Sequence, residues 1–142
     1  MIALSHDPSI GSGPDDLGEP TLSGGTLRVV TSADNAFDAT YALPATGWKL
    51  TRNLSGQQTY RYTDQNLQAG PIRNVVVRDG KLLRLLGLGS GLDLPLQAEP
   101  DPTMIVLTLG ERRYCMTFGG KATFHAERRY SAHDAPAPIA CP

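Results

Sequence analysis

Residues 72–88 read IRNVVVRDGKLLRLLGL, and this stretch decides the fold. Two apolar runs flank Asp79-Gly80. An Asp-Gly pair between apolar strands is the strongest short-range hairpin signal, because a type I′ turn needs positive φ at both central positions. We therefore predict two antiparallel strands, 72–78 and 81–88, joined by a two-residue turn.

Two further hairpins are predicted downstream of the first. Gly110-Glu111 would join a strand over 103–109 to a strand over 112–118. In the second of these strands Tyr114, Met116 and Phe118 would share the apolar face, while Cys115 would lie on the opposite face. Gly119-Gly120 would then turn the chain into a strand over 121–127.

The rest of the chain also favours strands over helices. No window carries apolar residues at helical spacing, and 15 Gly and 11 Pro favour many short elements. We predict an all-β fold, an antiparallel β-sandwich of at least about seven strands, with a small β-barrel as the alternative. The side chains predicted to be buried are Leu27, Val29, Phe37, Tyr41, Trp48, Tyr60, Tyr62, Val76, Leu83, Leu85, Val106, Met116 and Phe124.

Length and charge limit the classes of function. The 142 residues suit one domain, 1–142, and 13 Lys and Arg stand against 14 Asp and Glu. Without a basic excess, nucleic acid is not expected as a partner. No apolar run approaches the roughly 20 residues that a membrane-spanning helix needs. The N-terminus resembles no signal peptide, so the chain is expected either to be cytosolic or to begin after a removed segment.

The chain contains two cysteines, Cys115 in a predicted strand and Cys141 in a Pro-rich tail over 131–142. Such a tail needs an anchor to stay ordered, so we predict a disulfide between them and hence an oxidising compartment. Closing a loop of about 26 residues would stabilise the fold by roughly 3–4 kcal/mol in the chain-entropy model. Two reduced thiols in a cytosolic protein are the alternative.

The N-terminal segment 1–25 is rich in Gly, Pro and Asp, and is predicted to be irregular and to pack along its own sheet. The alternative is that this segment, or the strand Ile2–Leu4, lies against an identical copy or a preceding domain, with Ile2 and Leu4 covering a sheet edge by strand addition. Acidic residues of this segment could bind calcium, although Asx turns explain the same residues without a metal. They are Asp7, Asp15, Asp16 and Glu19.

Enzyme chemistry finds little support in the sequence. His6, His125 and His133 are far apart, and no nucleophile elbow or zinc-protease motif is present. A small hydrolase would need a pocket that brings one of them to a carboxylate. A carbohydrate-binding module would need exposed coplanar aromatic rings, whereas core packing is the simpler role for such rings. The aromatic residues concerned are Tyr41, Trp48, Tyr60, Tyr62, Tyr114 and Tyr130.

Motifs along nearly the whole chain suggest a family. They are Leu4-Ser5-x-Asp7-Pro8, Gly24-Gly25-x-Leu27-x-Val29, Leu43-Pro44-x-x-Gly47-Trp48, Gly110-x-x-Arg113-Tyr114-Cys115 and Ala135-Pro136-Ala137-Pro138-x-x-Cys141-Pro142. In these the chain resembles an uncharacterised C-terminal domain of predicted secreted proteins from myxobacteria and related deltaproteobacteria. The resemblance implies a secreted or periplasmic bacterial module and no catalytic residue. We expect a non-enzymatic structural or adhesive module, without a cofactor, in an extracellular assembly or beside a partner domain.

Overall fold

The computed structural model describes residues 1–6, 18–31, 37–78, 82–87, 103–118, 122–125 and 129–133. These residues form many short strands and very little helix, as predicted. The strands are β1 (Ile2–Ser5), β2 (Gly25–Thr31), β3 (Phe37–Leu43), β4 (Trp48–Arg52), β5 (Gln58–Thr63), β6 (Ile72–Arg78), β7 (Leu82–Gly87), β8 (Thr103–Leu109), β9 (Arg112–Phe118), β10 (Ala122–His125) and β11 (Arg129–His133). The helical elements described are α1 (Pro20–Ser23) and a single 3-10 turn (Ala45–Gly47). Neither they nor any other described segment forms a helix long and apolar enough to cross a membrane.

The strands form two sheets around a common core. Sheet A has seven strands in the order β10-β11-β1-β7-β6-β5-β4, and sheet B has four in the order β3-β2-β8-β9. Neighbouring strands run antiparallel except for the parallel pair β1–β11. Apolar side chains from both sheets belong to one buried cluster, so the fold is sandwich-like. Neither sheet closes on itself among the described strands, so the alternative of a small β-barrel is wrong.

The β6–β7 pairing corrects the predicted two-residue turn. Arg78 pairs with Leu82, which leaves three residues between the paired positions. These residues, 79–81, lie outside the described part of the chain. The observed register pairs Val77 with Leu83 on the buried face. A slip of one residue would turn Arg84 inward, so burial of the leucines outweighs the local preference of Asp-Gly.

The second predicted hairpin is confirmed. Leu109 pairs with Arg112 across Gly110-Glu111, and Gly110 has a φ of 58°, which a two-residue turn of the II′ type requires at its first position. Met116 and Phe118 face the core, as predicted, and Cys115 lies on the outward face.

The third predicted hairpin is wrong. β9 belongs to sheet B, whereas β10 pairs with β11 at the edge of sheet A. The chain therefore crosses from one sheet to the other between Phe118 and Ala122. β11 also corrects the boundary of the predicted tail, because Ser131–His133 is strand. The remaining tail residues, 134–142, lie outside the described residues.

The N-terminal segment is more regular than predicted. β1 lies inside sheet A between β7 and β11, α1 covers Pro20–Ser23, and 7–17 is outside the described residues. Ala3 and Ser5 are buried. Packing along its own sheet is therefore confirmed for β1, whose two edges are already paired with β7 and β11, so Ile2–Leu4 is not available to cover the edge of another molecule. For residues 7–17 the same prediction lies outside the described residues.

The predicted core is largely confirmed, and four residues differ from it in degree of burial or in the face on which they lie. Phe37 and Tyr41 are half-buried against the core rather than enclosed by it. Val76 and Val106 are buried, at 7% and 2% exposure, but both lie on outward faces. The side chain of Phe124 lies outside the described part, so its burial stays a prediction. The predicted residues that join the core cluster are Leu27, Val29, Trp48, Tyr60, Tyr62, Leu83, Leu85 and Met116.

Tyr60 carries a polar atom that the core does not satisfy. Its side chain is 0% exposed, and its hydroxyl oxygen lacks a hydrogen-bond partner among the described residues. A buried hydroxyl without a partner costs about 1–3 kcal/mol. We expect Tyr60→Phe to raise the free energy of unfolding in urea by about 1 kcal/mol. Tyr62→Phe is the matched control and should bring no gain, because the Tyr62 hydroxyl is not among the unpartnered buried atoms; equal gains would contradict this reading.

The same burial predicts a pH dependence. Desolvation raises the pKa of the Tyr60 phenol above its ordinary value of 10.0. Above that pH the unfolded chain releases the phenol proton more readily than the folded protein does, so stability falls as the pH rises. Tyr60→Phe should reduce this alkaline loss, measured by urea unfolding at pH 9 and above.

Candidate functional site

The strands of sheet A contain basic residues and no acidic ones. Within the seven described strands stand seven Lys and Arg residues and no Asp or Glu. The basic residues are Lys49, Arg52, Arg61, Arg73, Arg78, Arg84 and Arg129. In a chain of net charge −1, this is a strong local segregation of charge.

Strand register gathers four of these cations on the outward face. Lys49 of β4 lies directly opposite Arg61 of β5, and Arg61 opposite Val76 of β6. Val76 in turn lies opposite Arg84 of β7. Arg78 lies two residues beyond Val76 and is therefore a diagonal neighbour of both Arg61 and Arg84. We call Lys49, Arg61, Arg78 and Arg84 the basic face.

Three arginines thus surround one valine. Strands of a sheet lie about 4.8 Å apart, so Arg61 and Arg84 are anchored about 10 Å apart with Val76 between them. Both arginines are exposed, whereas Val76 is 7% exposed. Aliphatic stems of arginines can cover such a valine while the guanidinium groups stay in water.

The charges of the basic face have no counter-charge among the described residues. None of its four side chains forms a hydrogen bond or an ion pair with any residue that the structure describes. Like charges directly opposite on neighbouring strands, as at Lys49 and Arg61, are destabilising. A bound anion would relieve this repulsion, and guanidinium groups bind carboxylate, sulfate and phosphate oxygens in bidentate fashion.

The surroundings of the basic face are polar on one side and apolar on the other. Thr51, Thr59 and Thr63 lie on the same face of β4 and β5. Towards the sheet centre, Leu4 lies beside Arg84 and Ile2 beside Leu86, all on the outward face and with the three apolar residues half-buried. The cationic half of the face therefore also offers hydroxyl groups.

Sheet B differs from sheet A in this respect. Arg28 on its outward face donates from Nε to Asp38 Oδ1 at 2.8 Å and from Nη2 to Asp38 Oδ2 at 2.7 Å. This bidentate pair raises the pKa of the Arg28 guanidinium and lowers the pKa of the Asp38 carboxyl, first through the hydrogen bonds. Arg28 is a compensated cation and therefore a natural control for the basic face.

The described side chains do not form the exposed, coplanar set of aromatic rings that a carbohydrate-binding module would need. Trp48, Tyr60 and Tyr62 are buried in the core, and Tyr41 and Tyr114 pack against it. The Trp48 and Tyr62 rings lie 5.5 Å apart, and Trp48 Nε1 donates to the Leu43 carbonyl. Trp48 begins β4 and serves as core, as the sequence indicates. The side chain of Tyr130 lies outside the described part.

The histidines lie on or just after strands β1, β10 and β11 of sheet A. His133 pairs with Leu4, two residues before His6, whereas His125 pairs with Arg129 at the other end of β11. The side chains of His125 and His133 lie outside the described part, so a hydrolase site stays untested.

The predicted calcium residues are mostly outside the described chain. Asp7, Asp15 and Asp16 fall there, and Glu19 is exposed. The described residues hold no cluster of metal-ligating side chains. Calcium therefore stays an untested alternative.

A polar cleft of about 220 Å³ beside β5 is organised by Asp64. Ala69 N–H donates to Asp64 Oδ2 at 2.8 Å, and donors of this kind, from Ala69 and Gln68 first, lower the pKa of the carboxyl. The Asp64 carboxylate already accepts hydrogen bonds from backbone N–H groups of its own loop. The cleft is therefore better explained as part of the loop structure than as a ligand site.

Cys115 lies half-buried on the outward face of β9. Its neighbour across the pair, Val106, is 2% exposed although it too faces outward. Cys141 lies outside the described residues, so the bond between the two cysteines stays a prediction.

Comparison with known protein families, characterised proteins and solved structures finds no significant match. The resemblance to the myxobacterial domain stays a prediction. The sequence reasoning missed the basic face, because positions 49, 61, 78 and 84 are far apart and the total charge is balanced. The signal that could have found it is the scarcity of Asp and Glu in the strand-forming runs, since Asp38 is the one acidic residue among the described strands.

Proposed function

We propose that this chain is a secreted, non-enzymatic adhesive module that attaches to an anionic partner through the basic face. The observation that carries this function is a sheet surface with four cations and no described carboxylate to neutralise them. A rigid sheet holds these cations at fixed spacing, so that the entropy lost on binding a partner is small. Attachment to a surface or to a partner molecule needs nothing more.

The secreted location rests on the predicted disulfide and on the family resemblance. A bond from Cys115 to Cys141 would draw the tail across the outward face of sheet B. The burial of outward-facing Val106 beside Cys115 supports such a cover. A disulfide of this kind persists in the periplasm or outside the cell.

We expect unreduced protein to contain no thiol that iodoacetamide can alkylate, and reduced protein to contain two. Intact-mass spectrometry measures both. Cys141→Ser is the control and should expose one alkylatable thiol, at Cys115, without reduction. Two alkylated cysteines in unreduced, air-oxidised protein would contradict the disulfide and remove the main argument for secretion.

Adhesion is tested with the full chain on beads that carry carboxylate groups and on matched beads that carry uncharged hydroxyls. We expect retention on the carboxylate beads alone, and loss of retention as salt screens the charges. Equal retention on the two kinds of bead, or none on either, would contradict the proposed function.

A further inference from the structure

We infer that the anionic partner is an acidic polysaccharide, bound across β4–β7 with its charged groups at the arginines around Val76. This inference rests on the proposed function and names the class of partner. Three guanidinium groups surround the buried Val76, and they belong to Arg61, Arg78 and Arg84. Lys49 extends the same row by one strand.

The composition of the surface favours a sugar polymer. A polysaccharide presents hydroxyl groups between its carboxylates or sulfates, and needs hydrogen-bonding groups between the cations. Thr51 and Thr59 lie in the row next to Lys49 and Arg61. Thr63 and Asn74 lie in the row on the other side. The cationic row is therefore flanked by threonine hydroxyl groups on both sides, while the Asn74 amide donates to the Tyr62 carbonyl at 2.9 Å and helps to hold the sheet.

The described part of this surface lacks features that single-stranded nucleic acid and anionic membranes usually need. Single-stranded nucleic acid binds by stacking on aromatic side chains, and the described aromatic side chains face the core. An anionic membrane surface is usually held by exposed apolar side chains together with cations. The exposed large apolar residues described are Leu22, Leu54 and Leu67, which lie outside the strands of sheet A. The apolar residues beside Arg84 on the outward face, Ile2, Leu4 and Leu86, are half-buried and so present less apolar area to a membrane.

The test titrates the full chain with polygalacturonate by isothermal calorimetry at low salt. Its uncharged methyl ester, double-stranded DNA and phosphatidylglycerol vesicles are the comparison probes. We expect binding to polygalacturonate at least about 10-fold tighter than to any comparison probe, since charge-assisted hydrogen bonds add to the contacts with sugar hydroxyls.

Variants locate the site. Arg84→Gln should weaken binding by about 10-fold, and the triple change of Arg61, Arg78 and Arg84 to Gln by more than about 100-fold. Arg84→Lys keeps the positive charge but loses the planar, bidentate guanidinium group. Its affinity for polygalacturonate should therefore lie between those of wild type and Arg84→Gln. Arg28→Gln removes the same charge from sheet B and should change affinity less than about 2-fold, since Arg28 is already paired.

The outcomes separate the two levels of the proposal. Tight binding to DNA or vesicles that the arginine variants abolish would leave an adhesive basic face and overturn the polysaccharide. Polysaccharide binding that the triple variant leaves intact would overturn the site. Circular dichroism of each variant is the control for correct folding. If the full chain bound none of the anionic probes, the proposed function would be overturned as well.

Discussion

Replacing Ala3 by Asp is expected to lower the free energy of unfolding by about 3–5 kcal/mol, because the substitution buries a charge without a partner. Ala3 is 3% exposed and pairs with Leu85 on β7 and Ala132 on β11. Typical domains are stable by only about 5–15 kcal/mol. The variant should therefore be partly unfolded at physiological temperature, as urea and thermal unfolding would show.

The position of β1 makes this effect larger than its four residues suggest. In the described pairings, the β10–β11 hairpin joins sheet A only through β1. Loss of β1 should therefore expose the amides of β11 as well. Hydrogen exchange should show faster exchange at Ser131–His133 together with that at Ile2–Ser5.

The matched control is Leu4→Asp, one residue along the same strand. Leu4 faces outward and lies directly opposite Arg84, so the new carboxylate would meet a cation at the surface. We expect a change within about 1 kcal/mol. If Leu4→Asp proved as damaging as Ala3→Asp, the assignment of inner and outer faces on β1 would be wrong.

The second large effect is expected from Phe118→Ala, at about 3–5 kcal/mol of lost stability. Phe118 is 1% exposed and ends β9, just before the chain crosses to sheet A. It lines a narrow gap between the sheets that is too small to hold a water molecule. The ring joins the two sheets, and its removal leaves a cavity at their interface. The other residues of the gap are Ala3, Leu83, Leu85, Ile105 and Met116.

Thr117→Ala is the control for this prediction. Thr117 is adjacent in sequence but lies on the outward face of β9 and is half-buried. Its truncation should cost less than about 1 kcal/mol. Chemical denaturation of both variants measures the two changes in the free energy of unfolding. A loss below about 1 kcal/mol for Phe118→Ala would mean that the two sheets do not pack together through this ring.

Local patterns in the sequence determined the strands and most of their faces. The alternation along Arg112–Phe118 places Met116 and Phe118 inside and Cys115 outside, as the structure does. Gly110-Glu111 predicts its hairpin correctly because a two-residue turn is a property of a few neighbouring residues. The predominance of strands over helices follows from the same local signals.

Pairing between distant strands could not be read from such patterns. Alternation shows which side chains share a face, but not which strand lies alongside. The short run Ile2–Ser5 becomes an internal strand, and β10 joins sheet A rather than its neighbour β9. The β6–β7 register follows burial of Leu83 and Leu85 rather than the Asp-Gly signal. In each case the contacts that decide are made by residues far apart in the chain.

The sequence by itself determined that this protein is an all-β domain with apolar and polar faces on its strands, because those properties depend on residues one or two positions apart. Only the tertiary structure decided what the outward face of sheet A carries. Lys49, Arg61 and Arg84 stand on three different strands, and register alone places them in one row. Electrostatic interaction depends on distance in space, so a chain with nearly balanced charge can still present a face of one sign.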